Sequence, residues 1–228
     1  MDHVEPLRLL NWSKSVRTRA SIRVSLIAFA VASLALSGCN RTSQESGVYP
    51  VTYHASSLPN VALIDQYGRP MVVSSLRGKA VLLDFIYTSC PGPCQLLTQH
   101  MKLIADKLGP DLGPKVLFVS VTVDPDRDHP TRLRDYASAL NANVKGWYFL
   151  TGSSAQIDEL MRAFRLGRSR DNDGEINHVL GYFLVGPDGR EIVDYSQRVD
   201  PSKPARDAEE AATGNTLIGR VSAVLRRL

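Results

Sequence analysis

The sequence predicts an α/β fold: a central mixed sheet with helices on both faces. Three observations carry that expectation. Ala80 to Tyr87 and Val116 to Val123 are nearly unbroken apolar runs, the mark of strands buried on both sides. The stretches that follow them place apolar residues at helical spacing. Strand-like and helix-like segments then alternate to the end of the chain, which favours a sheet covered on both faces.

The elements follow in order. Val61 to Ile64 and Met71 to Val73 flank Asp65-Gln66-Tyr67-Gly68 and predict a short hairpin turning at Gly68. Ala80 to Tyr87 is the first central strand. From Pro93 to Leu108, residues Leu96, Leu97, Met101, Ile104 and Leu108 repeat at helical spacing, and Gly109-Pro110 ends the helix. Val116 to Val123 is the second buried strand. Asp128 or Thr131 is the expected cap of a helix carrying Leu133, Tyr136 and Leu140. Trp147 to Leu150 reads as a short strand. Thr151 to Ser154 can cap a helix holding Ile157, Leu160, Met161 and Phe164. Arg168 to Asn177 is expected to be a polar loop and Val179 to Val185 a strand. Pro187-Asp188-Gly189 is a turn, with Glu191 to Tyr195 as the return strand. Ala205 to Leu225 predicts an amphipathic helix with Leu217, Ile218, Val221 and Leu225 on one side.

The chain divides into three parts. Residues 1–38 read as a lipoprotein-type signal peptide: Arg17, Arg19 and Arg23 form a basic flank, and Val24 to Leu36 is an uncharged apolar run. That run has the length of a secretory core and is too short to span a bilayer comfortably. Leu36-Ser37-Gly38-Cys39 resembles a bacterial lipoprotein cleavage box, in which Cys39 is lipidated. An ordinary cleaved signal or an uncleaved anchor is the alternative. Residues 39–57 are polar and read as a flexible membrane tether, and 58–228 suit one domain with a sizeable core. The expected location is therefore outside the cytoplasm, on a bacterial membrane through a lipid anchor. Of 27 Lys and Arg and 23 Asp and Glu, five and two precede Cys39, leaving a net charge of only +1 after it. No basic stripe with interleaved aromatics is present, so nucleic acid is not an expected partner.

With Cys39 in the leader, the domain holds two cysteines, Cys90 and Cys94, at the junction of the first long strand and its helix. On a helix, residues four apart share a face, and the rise between them is about 6 Å. That separation permits a Cys90–Cys94 disulfide and equally lets both sulfurs face one metal ion. Free N–H groups at a helix start favour thiolate. A static disulfide, or two buried structural thiols, is the bland reading. Dedicated dithiol exchangers usually carry two residues between the cysteines, and here there are three. Spacing alone leaves redox and metal chemistry open. Two thiolates select Cu(I), zinc or iron–sulfur chemistry. Zinc and iron–sulfur sites normally want four ligands, and this domain lacks four cysteines. Copper is satisfied by two thiolates and an imidazole.

Five histidines are available. His3 is in the leader and His54 in the tether. His100 lies on the first helix, turned nearly opposite Cys94, and His129 begins the second. His178 stands at the end of the polar loop, where a late strand begins. The two thiols after a buried strand resemble the thioredoxin arrangement. In such a layout the loop before the late strand packs on the cysteine loop, which singles out His178.

Taken together, Leu83-Asp84-Phe85-Ile86-Tyr87-Thr88-Ser89-Cys90-Pro91 with Cys94, Val121-Thr122-Val123-Asp124-Pro125-Asp126-Arg127-Asp128, His178 and Pro187-Asp188-Gly189 resemble the Sco/SenC copper proteins. These are membrane-tethered thioredoxin-like domains. The resemblance spans about Leu58 to Tyr195. It implies copper, as Cu(I) and/or Cu(II), held by Cys90, Cys94 and His178. It also implies delivery of copper to, or preparation of the thiols of, the binuclear copper site of cytochrome c oxidase subunit II or another exported copper protein. Asp124 is expected near the metal loop, or simply as a turn residue before Pro125. The family often has proline after the second cysteine and a small hydroxyl residue after the histidine, where this chain has Gln95 and Val179. The alternative function is an exported thiol–disulfide reductase, with Cys90 as nucleophile and Cys94 as resolving thiol. A peroxidase would need its reactive cysteine in a different local pattern.

Overall fold

The computed structural model describes residues 57–214. The leader with Cys39, most of the tether with His54, and the tail residues Leu217, Ile218, Val221 and Leu225 lie outside them. Strands are β1 (Ala62–Asp65), β2 (Pro70–Val72), β3 (Ala80–Ile86), β4 (Val116–Thr122), β5 (Trp147–Thr151), β6 (Ser169–Arg170), β7 (Ile176–Asn177), β8 (Tyr182–Val185) and β9 (Glu191–Tyr195). Helices are α1 (Pro93–Leu108), α2 (Pro130–Ala139), α3 (Ser154–Ala163) and α4 (Ser202–Ala212).

Seven strands form one mixed sheet in the order β2-β1-β5-β4-β3-β8-β9, and β6 and β7 form a separate small hairpin. β3, β4 and β5 are parallel, while β8 pairs antiparallel to β3. All seven residues of β3 and of β4 are buried, as their apolar runs require. Side chains alternate across a strand, so Asp84 and Phe85 face opposite ways. On the Asp84 face lie its register partners Ser120 and Tyr182, and Tyr182 stacks on His100 of α1. On the other face Phe85 meets Phe164, at the end of α3, and Phe183. Helices therefore cover both faces, as expected. Among the described residues no helix is long and apolar enough to cross a membrane.

Four local expectations change. The cap of α2 is His129, which makes no side-chain cap bond. Asp128 turns instead toward Thr88 and Thr122, because a buried carboxylate gains more from three donors than from one helix end. The polar segment from Arg168 closes into the β6–β7 hairpin, with Asp171 accepting the N–H groups of Asp173 and Glu175 in its turn. The late strand begins at Tyr182, not Val179. Val179 and Leu180 are exposed, and at Gly181 a Cβ would fall 2.7 Å from the Tyr195 carbonyl oxygen. Helix α4 starts at Ser202, with Pro204 tolerated in its first turn, and buries Ala205, Ala208 and Ala211. For α3, Ser153 caps through a reciprocal box with Gln156.

Candidate functional site

Cys90 and Cys94 lie at the carboxyl end of the parallel strands, where open α/β sheets place their ligand crevices. The chain leaves β3 at Ile86 and re-enters helix at Pro93, whose missing N–H costs nothing in a first turn. The Cys94 N–H donates to Cys90 Sγ at 3.4 Å. Both cysteines are free thiols; Cys94 is fully buried, and Cys90 is 6% exposed. Burial first, and then the neighbouring Cys90 sulfur, push the Cys94 thiol well above the usual range.

His178 reaches this pair from 84 residues away, with Nε2 3.8 Å from Cys94 Sγ. Nδ1 sits 2.9 Å from the Val179 carbonyl oxygen, so the Nδ1–H tautomer donates there and leaves the Nε2 lone pair facing sulfur. Val179 thus serves the imidazole through its backbone carbonyl. Burial lowers the His178 pKa, which favours the neutral, metal-ligating form. The Tyr87 ring packs edge-on to His178 at 5.9 Å, and its hydroxyl accepts the Ile176 N–H at 3.4 Å. Burial foremost, and the two sulfurs beside it, raise the Tyr87 phenol to about 12.

The donor chemistry fits a soft metal. With bonds of about 2.3 Å to sulfur and 2.0 Å to imidazole nitrogen, two ligands spread about 120° around one ion stand about 3.7 Å apart. The Cys94–His178 distance matches that figure. Among the described residues, no three His, Cys, Asp or Glu side chains converge tightly enough in this conformation to enclose an ion. Cys94 links the three residues in pairs, to Cys90 through its N–H and to His178 through its Sγ. His100 and His129 stay out of it: His100 Nε2 bonds the Val199 carbonyl at 2.8 Å, and His129 begins α2.

One feature was not anticipated, and a second, the Asp124 turn, was expected without its partners. Asp84 is fully buried, and neither carboxylate oxygen has a hydrogen-bond partner. Burial raises its pKa to about 7. A lone carboxylate within an apolar run is the signal that could have found it. The second feature is the turn after β4. Asp124 is fully buried, and its Oδ1 accepts Arg170 Nη2 at 2.7 Å while Oδ2 accepts Arg127 Nη1 at 3.4 Å. Asp128, also fully buried, accepts the Thr88 N–H at 3.0 Å and the Thr88 hydroxyl at 2.5 Å. Arg168 also ties the hairpin region to the Val123 carbonyl.

A sheet of this order, with two thiols at the strand–helix junction and an imidazole brought in from a late hairpin, defines a thioredoxin-like domain with a dithiol–imidazole centre. A family profile described as SCO1/SenC matches residues 54–213. The chain belongs to the SCO1/SenC family. It is 33% identical over 135 residues to the SCO1 protein homolog of Bacillus subtilis, covering 58% of this chain and 69% of that one. It spans 54% of the bovine mitochondrial SCO2 homolog. Among solved structures, a SCO1/SenC family lipoprotein from Bacillus anthracis superposes with a TM-score of 0.63 at 26% identity, covering 72% of this chain and 99% of that one. Bradyrhizobium japonicum ScoI with copper bound gives 0.59 at 27% identity, covering 66% and 96%. BsSco, described as having a disulfide switch and as a member of a family of cytochrome c oxidase assembly proteins, gives 0.61 at 28%, covering 71% and 96%.

Proposed function

We propose that this protein is a membrane-tethered copper carrier of cytochrome c oxidase assembly, with Cys90, Cys94 and His178 as ligands. It would deliver copper to the binuclear site of subunit II or to another exported copper protein. The observation that carries the reading is the approach of His178 Nε2 to Cys94 Sγ, with the tautomer set by the Val179 carbonyl. Two thiolates suit Cu(I), and the imidazole makes Cu(II) accessible as well. Loading displaces the thiol protons, and burial makes that of Cys94 hard to remove. Cys94 is sealed in the core, while His178 is half-buried and is followed by the exposed Val179 and Leu180. A partner therefore approaches from the histidine side, where the coordination is open. Lipidation at Cys39 would hold the domain at the membrane outside the cytoplasm, with residues 39–57 as the tether.

One observation supports thiol–disulfide exchange by the same sulfurs. Cys90 is the more accessible, and Cys94 lies one turn behind it on α1. Cys90 thiolate would attack a partner disulfide and release one partner thiolate. Cys94, losing its proton, would then attack the Cys90 sulfur and release the second. The pair ends as a disulfide, and the partner gains two electrons.

Anaerobic copper titration of the reduced full-length protein tests the carrier reading. One tightly held copper per chain, lost in Cys90→Ser/Cys94→Ser, is expected. In parallel, Cys94→Ser is incubated with disulfide-bearing membrane extracts. Weak copper binding together with a trapped mixed disulfide would move the assignment to the reductase.

A further inference from the structure

We propose that the turn at residues 123–128 is a bracket that holds the thiol half and the imidazole half of the site at a fixed separation. Asp128 grips one half and Asp124 the other. This rests on the reading of Cys90, Cys94 and His178 as ligands.

The two carboxylates are locked in one turn, since the Arg127 and Asp128 N–H groups both donate to the Asp124 carbonyl, at 3.1 and 2.9 Å. Asp128 reaches to Thr88, two residues before Cys90, through the backbone N–H and the hydroxyl. Arg132 Nε donates to the same hydroxyl at 2.7 Å. In the other direction Asp124 receives Arg170 of β6 at 2.7 Å. Arg170 stands opposite Ile176 in the hairpin register, two residues before His178. Its second nitrogen, Nη1, donates to the Gly174 carbonyl at 2.9 Å and so ties the hairpin turn to the same guanidinium.

Buried carboxylates beside arginines often record nothing more than charge compensation. Here the two reach different segments, separated by 40 and 46 positions in sequence, and each of those segments leads into a proposed ligand, Cys90 after Thr88 and His178 after β7. β6 and β7 are two residues each and stand outside the main sheet, so the hairpin lacks the ladder that fixes β3 and β4. Side-chain bonds must supply the constraint. Arg127 offers an internal control, because it pairs with the same carboxylate from within the turn and touches neither half. Arg170 and Asp124 are thus positioning residues for His178.

The test compares full-length wild type, Arg170→Met, Arg127→Met and His178→Ala in two ways. Without metal, backbone amide exchange is read at Ile176, Asn177 and His178. With Cu(II), nitrogen hyperfine coupling and the thiolate charge-transfer band are recorded. Arg170→Met should speed exchange at those amides about tenfold and weaken copper binding about tenfold, with nitrogen coupling reduced and the sulfur band retained. Arg127→Met should match wild type. Asp124→Asn, which keeps the side-chain shape, should repeat the Arg170→Met pattern and serves if that variant is unstable. Wild-type behaviour of Arg170→Met, or equal effects of the two arginine variants, would overturn the bracket. If His178→Ala keeps the nitrogen coupling, the ligand reading fails instead, and the metal-free exchange data alone decide the bracket.

Discussion

Cys90 and Cys94 grow out of the most buried strand of the molecule, whereas His178 hangs between a two-residue strand and an exposed apolar step. The thiols are set by local chain geometry: Cys94 sits in the first turn of α1, and Cys90 four residues earlier in the loop that leads into it. The imidazole is set by the adjacent Val179 carbonyl and the distant Tyr87 ring, and its hairpin by the Tyr87 hydroxyl and the Arg170–Asp124 pair. The contrast teaches a division of labour. On the proposed reading, a fixed soft-donor pair would retain the ion, and a less embedded third donor would give a partner its opening.

The largest effects should come from the thiol half. Cys94→Ser is expected to weaken copper affinity by more than the roughly 100-fold that outer support residues can cost. An affinity within tenfold of wild type, measured by competition with a Cu(I) chelator, would break the division proposed above. Asp84, on the α1-covered face of β3, tests how deeply that half is embedded. Its pKa is about 7 in the folded protein against 3.8 ordinarily, so the folded state binds the extra proton between those values. Stability should then fall as pH rises through that window, by up to about 4 kcal/mol, and be fully reduced above it. Asp84→Asn should flatten this decline and unfold at higher denaturant concentration at pH 8. An unchanged pH slope would show that the carboxyl finds a partner in solution.

The smallest effect sharpens the other side of the contrast. Tyr87→Phe keeps the ring against His178 and removes only the acceptor of the Ile176 N–H, a loss of about 1 kcal/mol. Exchange at Ile176 should quicken, while the global denaturation midpoint moves little. A large midpoint shift would mean that the hairpin is part of the core rather than an appendage to it.

The same contrast governs what was legible in the sequence. β3, β4 and α1 were readable almost to the residue, because continuous burial and helical spacing leave their mark on neighbouring positions. The cysteine pair was equally plain. His178 stood out only through the thioredoxin-like layout and then the resemblance to Sco/SenC proteins, since a lone histidine beside a polar loop carries no periodic signal. Arg170 and the partner of Asp124 were invisible for the same reason: their bond joins residues 46 apart and follows no pattern. Asp128 was read as a cap because its local context allows one, and only the fold shows the hydroxyls that outcompete the helix end. The hairpin of β6 and β7 was hidden in a charged stretch without alternation.

The central claim is that one imidazole from the late hairpin joins two thiolates around a copper ion. The most direct measurement is electron paramagnetic resonance of the full-length protein carrying one Cu(II), in wild type and His178→Ala. The account predicts coupling to a single imidazole nitrogen in wild type and its disappearance in the variant, with sulfur ligation intact in both. The same nitrogen coupling in His178→Ala, or none in wild type, would contradict it.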